Sequence, residues 1–232
     1  MDIHPIAHIR SDFTEKFGIP RQSGVVPELR ATVIFTPDYR DPEALRGLED
    51  CSHLWLIWGF SQVARGDFSP TVRPPRLGGN ARMGVFATRS PYRPNPLGLS
   101  AVEIAEIALT TPDGPAIHVL GADLLDGTPI YDIKPYLPYA DCLPHATGGF
   151  ATEAPGPLLR VEGIEDWLPL LPADKQKSIQ ALLAQDPRPS YQRDPNRIYG
   201  MQFAGFDIKF QISGEILTVI GIQEIERQGE SR

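Results

Sequence analysis

The sequence predicts a β-barrel-like domain followed by a small α+β domain, and three observations carry that expectation. Proline (24 residues) and glycine (21 residues) together make up about a fifth of the 232 residues and cut the chain into short segments. Those segments are apolar or alternating, bounded by Gly, Pro or Asp, and spaced like a sheet that closes on itself. The chain also contains no GxGxxG, no GxxxxGKS/T and no GxSxG, so a doubly wound dinucleotide site, a P-loop and a nucleophile elbow each lack a candidate.

Taken in order, the strands are expected at Ile3–Ile9, Leu29–Phe35, His53–Phe60, Arg82–Thr88, Leu99–Leu109, Ala116–Ala122 and Thr128–Lys134. Asp41 followed by Pro42 opens a short helix over Glu43–Leu48, with Asp41 as the cap and proline at the first helical position. Composition shifts to Gly, Pro, Ala and Thr at Leu143–Pro157, which places a boundary between residues 1–146 and 147–232. Beyond it, Ala173–Gln185 has the pattern of an amphipathic helix. Met201–Ile212 and Glu215–Ile225 read as strands joined by a tight turn at Ser213-Gly214.

The net charge of −7 argues against a nucleic-acid partner on average, but its distribution does not. Between Arg65 and Arg93 lie six arginines (Arg65, Arg73, Arg76, Arg82, Arg89, Arg93) and a single acid, Asp67. Phosphate affinity depends on the local patch, because counterions are released where protein meets backbone. The use of arginine throughout suits planar, bidentate recognition of phosphate or carboxylate. Cys51 and Cys142 form no CxxC pair and are expected to be reduced. The start MDIHPIAHIR has no apolar signal core, and the longest apolar run, Leu54–Phe60, is far short of the ~20 residues of a membrane helix. A cytoplasmic protein without a membrane partner is therefore expected. The five histidines form no close metal-ligand cluster, so no metal is expected either.

Four segments carry chemistry. In Thr88–Ser100 the prolines 91, 94 and 96 stiffen an extended loop that presents Arg89, Tyr92, Arg93 and Asn95 at little entropic cost on binding. In Gly121–Tyr136 an Asp126-Gly127 turn precedes an alternating run that puts Asp132 and Lys134 on one face. Gly18–Gly24 is a polar loop, and Asp186–Tyr191 sets Arg188 and Tyr191 on proline-stiffened backbone.

The runs PRQSG, HLWLIWGF, GVFATRSPYRPNPLGLSAVEI, DLLDGTPIYDIKPYLPYAD and DPRPSYQ together resemble the TrmO family (also TsaA or YaeB) of tRNA N6-threonylcarbamoyladenosine methyltransferases. They occur in the expected order across nearly the whole chain. The resemblance implies a single-sheeted closed β-barrel, a short C-terminal domain, a homodimer, and S-adenosylmethionine as cofactor. It also implies a tRNA substrate carrying threonylcarbamoyladenosine at position 37, next to the anticodon, with N6 as methyl acceptor. Carried over by position, the cofactor pocket uses Pro20, Arg21, Gln22, Ser61, Gln62, Arg89, Leu99, Asp126, Gly127, Thr128 and Pro129. The one departure is Ser61, which stands where many relatives have histidine.

On this reading Arg21 or Arg89 suits the cofactor's carboxylate, and Asp126 faces its adenosyl group. Asp132 is a candidate proton acceptor, with Tyr131 and the substrate's own carboxylate as rivals. Arg65, Arg73, Arg76, Arg82, Arg93 and Arg188 would hold the anticodon arm, and Tyr92 or Tyr191 would stack on an unpaired base. Arg93 is alternatively a partner for the threonyl carboxylate. Two rivals make other predictions. A cofactor sensor binds without turnover, and an RNA-binding barrel binds tRNA with steep salt dependence while ignoring the cofactor.

Overall fold

The computed structural model describes residues 2–63, 68–152, 158–189, 192 and 194–226. Its strands, in chain order, are β1 (Ala7–Arg10), β2 (Arg30–Phe35), β3 (His53–Gly59), β4 (Thr71–Val72), β5 (Met83–Gly84), β6 (Leu97–Ala108), β7 (Ala116–Leu120) and β8 (Pro129–Pro135), then β9 (Arg160–Glu162), β10 (Tyr199–Phe203), β11 (Phe206–Ser213) and β12 (Ile216–Glu224). Among the described residues two α-helices, α1 (Pro138–Asp141) and α2 (Ala173–Ala184), and several short 3-10 turns complete the regular elements.

Six strands close into an antiparallel barrel in the order β1-β2-β7-β6-β3-β8. The alternation along β3 shows why: Leu54, Leu56 and Trp58 are buried while Trp55 and Ile57 are only half-buried, the period-two pattern of a strand with one face inward. Ile9, Val33, Val102, Ile117, Val119 and Ile130 fill the same interior. Closure leaves the barrel without an unpaired edge.

The C-terminal sheet runs β10-β11-β12-β9, with β9 parallel to β12. Its core joins Ile179, Leu182 and Leu183 of α2 to Met201, Phe203, Phe210 and Leu217, and it also takes in Phe13, Val26 and Leu29 from the segment between β1 and β2. Lys175 and Asp12 form an ion pair at 2.6 Å, the Ser178 hydroxyl donates to the Glu28 carbonyl at 2.7 Å, and the Gln185 amide donates to the Val25 carbonyl at 3.3 Å. The segment between β1 and β2 therefore belongs physically to both halves.

Several sequence expectations shift. The strand expected over Met201–Ile212 is two strands, because Ala204 (φ 53) and Gly205 (φ 83) both adopt left-handed backbone and turn the chain. A two-residue turn of this kind closes a hairpin, and Ala-Gly is a weaker signal for it than Asn-Gly. Of Arg82–Thr88 the pair Met83–Gly84 forms a strand, and Val85–Ala87 forms a 3-10 turn instead. The first strand begins at Ala7, beyond Pro5, and not at Ile3. The helix expected over Glu43–Leu48 is a 3-10 turn, Pro42–Leu45, capped as anticipated by Asp41, which accepts from the Glu43 amide at 3.0 Å.

Gly18 sits where the shared segment meets β10. Its φ is +91, and a Cβ there would run into the Met201 side chain. Gly18→Ala is expected to destabilise the protein by about 2–3 kcal/mol, from backbone strain plus overpacking. A lowered urea midpoint at unchanged m-value would show this, and an unchanged midpoint would contradict it.

Candidate active site

A cleft of about 3290 Å³ opens where the barrel mouth faces the C-terminal half. Three of the loops in its wall carry expected site residues. The loop after β1 reaches it through Pro20, Arg21 and Gln22, the loop before β6 through Arg89, Tyr92 and Arg93, and the loop after α2 through Arg188.

Local hydrogen bonds explain the rigidity of the middle loop. The Ser90 amide donates to Thr88 Oγ1 at 3.2 Å and the Tyr92 amide to Ser90 Oγ at 3.2 Å. The Arg93 guanidinium returns to the Thr88 carbonyl at 3.1 Å, and the Phe60 amide fastens Pro96 to the end of β3 at 2.9 Å. The first loop is held from both sides. The Gly24 amide donates to Gly121 at 2.8 Å, Arg89 donates to the Gln22 side-chain oxygen, and Arg21 reaches the Arg188 carbonyl at 3.5 Å.

Tyr131 of β8 lies in the cleft, over Gly59. An added Cβ at Gly59 would stand 2.6 Å from Tyr131 Cε2, so glycine is what lets the ring lie against β3. Phe60, also in the cleft, meets Trp58 edge-on at 4.4 Å.

The expected site residues therefore divide. Pro20, Arg21, Gln22, Ser61, Arg89, Pro129 and Tyr131 come together in the cleft, as do Arg73, Arg76, Arg82, Tyr92, Arg93 and Arg188. Gln62, Leu99, Asp126, Gly127, Thr128 and Asp132 do not line it. Leu99 is 55% exposed on the outside of the barrel. Asp126 accepts from the Ser11 amide at 2.9 Å, and Thr128 is buried with its hydroxyl on the Leu125 carbonyl. Gln62 contributes its carbonyl to Lys16 at 2.8 Å. Asp132 pairs with Lys134 at 2.9 Å, the partner its shared strand face anticipated. Arg65 and Tyr191 lie outside the described residues.

Arg188 is paired within its own loop. Two guanidinium nitrogens meet the Asp186 carboxylate at 2.8 Å each, and Asp186 adopts left-handed backbone (φ 52) to receive them. This bonding holds the Arg188 guanidinium above its ordinary pKa, against the opposing effect of burial. The pair stiffens the loop and shapes its wall.

Asp123 is a residue that the sequence pattern did not single out. Trp58 Nε1 donates to Ser100 Oγ at 3.0 Å, and the Ser100 hydroxyl donates to Asp123 Oδ1 at 2.6 Å. Ser100 is buried. Burial pushes the Asp123 carboxyl above its ordinary 3.8, opposed by the Ser100 hydrogen bond, backbone amides at Asp123 and Ser23, and the charge of Arg89. It thus links β3, β6 and the loops that bear Arg21 and Arg89. Because the folded state holds this proton more tightly than the unfolded one, its contribution to stability is full below pH 3.8 and is lost as pH rises through the raised value. The stability of wild type relative to Asp123→Asn should accordingly decline across that window. Urea midpoints measured over a pH series check this, and parallel curves for the two proteins would contradict it.

The chemistry of the cleft suits a ligand that carries both a carboxylate and a cationic centre. Two guanidinium groups, Arg21 and Arg89, offer forks to a carboxylate, and the Tyr131 and Phe60 rings offer faces to a cation. No group of three His, Cys, Asp or Glu side chains is placed to hold a metal among the described residues. No helix among them is long and apolar enough to cross a membrane.

A closed antiparallel barrel that carries a small-ligand site at its mouth, continuous with an arginine-rich wall, defines a barrel-type enzyme or binding protein outside the doubly wound class. The chain belongs to the tRNA-methyltransferase O family: the model of that family's N-terminal domain matches residues 8–142, and the TrmO C-terminal domain matches residues 166–225. It is 41% identical over 226 residues to the tRNA (adenine(37)-N6)-methyltransferase of Escherichia coli, covering 94% of this chain and 96% of the relative. A Pseudomonas aeruginosa protein named putative S-adenosylmethionine-dependent methyltransferase RcsF is 43% identical over 214 residues, covering 89% and 90%. A crystal structure of TrmO from Pseudomonas aeruginosa superposes with a TM-score of 0.77 at 33% identity, covering 96% of this chain and 98% of that one.

Proposed function

We propose that this chain is a cytoplasmic S-adenosylmethionine-dependent tRNA methyltransferase that adds a methyl group to N6 of threonylcarbamoyladenosine at position 37. The observation that carries the reading is end-to-end similarity to an enzyme named for methylating N6 of adenine 37, joined to a cleft in which ligand-binding arginines run into an arginine-rich wall. Residues 1–146 form the methyltransferase domain and 147–232 the small C-terminal domain. The protein works as a homodimer, for which the exposed apolar side chain of Leu99 on the outer barrel face supplies part of a surface.

The cofactor brings a methyl group already activated by its sulfonium charge. What this chain must supply is alignment, worth up to ~7–11 kcal/mol. A general base adds only about 3–5 kcal/mol, so the lack of a histidine or cysteine among the described residues of the cleft is no obstacle. Arg21 and Arg89 hold the amino-acid tail, with Gln22 orienting Arg89. Of the two side chains considered as proton acceptor at N6, Tyr131 is in the cleft and Asp132 is engaged with Lys134. Tyr131 is therefore the group nearest the chemistry, and Asp132 supports β8 beside it. Arg73, Arg76, Arg82 and Arg93 take the phosphates of the anticodon arm.

The deciding experiment is methyl transfer from labelled S-adenosylmethionine to threonylcarbamoylated tRNA and to the same transcript unmodified. Label on the modified tRNA alone supports the reading. Cofactor binding without transfer to either would favour a sensor. Arg73→Ala should reduce the salt slope of log K for tRNA by about 0.7–0.9, the loss of one phosphate contact, with cofactor affinity unchanged. Filter binding across a salt series checks it, and an unaltered slope would remove Arg73 from the interface.

A further inference from the structure

The lobe between β3 and β6 carries a feature that phosphate binding leaves unused. Phe68 is 56% exposed and Phe86 is 73% exposed, yet their rings lie stacked, 6.4 Å between centroids and 26° between planes. Neither position is accidental. Val85, fully buried beside Phe86, anchors the turn that presents it. The Val85 amide donates to the Pro70 carbonyl at 2.9 Å, which binds that turn to the stretch bearing Phe68. Thr88 Oγ1 closes the turn on the Val85 carbonyl at 2.8 Å, and β4 pairs with β5 between the two aromatics. The rings are thus presented on fixed backbone, and both face the cleft.

Two large exposed hydrophobic rings on rigid backbone call for an occupant, and the surrounding charge selects its kind. From Phe68 to Arg93 there are five arginines and no acidic residue. A second copy of this chain meeting the same patch would set like charges against each other. A single-stranded nucleic acid brings both complements at once, phosphates for the arginines and flat base faces for the rings.

We propose that Phe68 and Phe86 form a stacking platform for an unpaired base of the RNA loop, a base other than the one presented for methylation. The assignment rests on the tRNA reading above. It divides the labour on this lobe: the arginines set affinity through charge, and the aromatic pair fixes which nucleotide lies where along the wall.

The test uses the full chain and a synthetic anticodon stem-loop carrying 2-aminopurine at one loop position at a time. At one position, binding of the wild-type protein should quench the fluorescence by stacking, and Phe86→Ala should abolish that quench. The same variant should weaken stem-loop binding about tenfold with its salt slope intact, the reverse of Arg73→Ala. Phe86→Trp should restore both signals, and calorimetric cofactor affinity should match wild type throughout. Stem-loop binding by Phe86→Ala as tight as wild type would overturn the platform while leaving the tRNA reading in place. So would loss of self-association without loss of RNA affinity, which would assign the pair to a contact between copies. No stem-loop binding by the wild-type chain would remove the tRNA reading and the platform together.

Discussion

Arg89→Ala should weaken S-adenosylmethionine binding by about 30- to 1000-fold, the equivalent of ~2–4 kcal/mol for losing a charge-assisted, forked hydrogen bond. The size follows from placement. Arg89 stands on a loop already immobilised by Thr88, Ser90 and Pro96, so its guanidinium reaches a ligand carboxylate with little ordering left to do. It is also bonded to Gln22 and lies near the Asp123 carboxylate, so removing it releases two neighbours. Calorimetric titration of the variant checks the expectation, and a change below about threefold would move the tail to Arg21.

The second large effect is expected from a glycine in the cleft. Gly59→Ala would place a methyl 2.6 Å from Tyr131 Cε2 and 3.0 Å from its hydroxyl, so the ring must swing away from β3. A displacement of about 1 Å at a reacting centre can cost about 10²-fold in rate. The variant should therefore lose kcat about 100-fold while its fold, judged by far-UV dichroism and thermal midpoint, stays close to wild type. Tyr131→Phe, which keeps the ring and removes the hydroxyl, separates position from proton handling. A normal kcat in Gly59→Ala would show that the location of Tyr131 does not matter to the reaction.

Much of the architecture was legible because it is written in local patterns. The LWLIW alternation of β3 announces a half-buried strand, and the three prolines before β6 announce a stiff loop. Asp132 and Lys134 were expected on one face and form an ion pair there. Other features depend on partners far apart in the chain. Asp123 acquires its meaning from Ser100, 23 residues away, and through it from Trp58, a further 42. Its neighbour Asp126-Gly127 shows the louder turn signal, but that turn faces Ser11 rather than the cleft. The pairing of Arg188 with Asp186 was not legible, because nothing in DPRPSY states that Asp186 bends back to meet it. The hairpin at Ala204-Gly205 escaped for a different reason: alanine in left-handed backbone is tolerated only because the flanking strands impose it.

Phe13, Val26 and Leu29 look like ordinary apolar residues of the first domain, yet they are buried with α2 and the C-terminal sheet. A boundary drawn through the middle of the sequence would therefore not be a boundary in folding. The strip that carries Pro20, Arg21 and Gln22 is stitched at one end to barrel strands and at the other to the second core. Melting of either half pulls on the ligand site. Calorimetric and van't Hoff enthalpies should coincide in a single transition, and ligand occupancy should raise the melting temperature of the whole molecule rather than of one lobe.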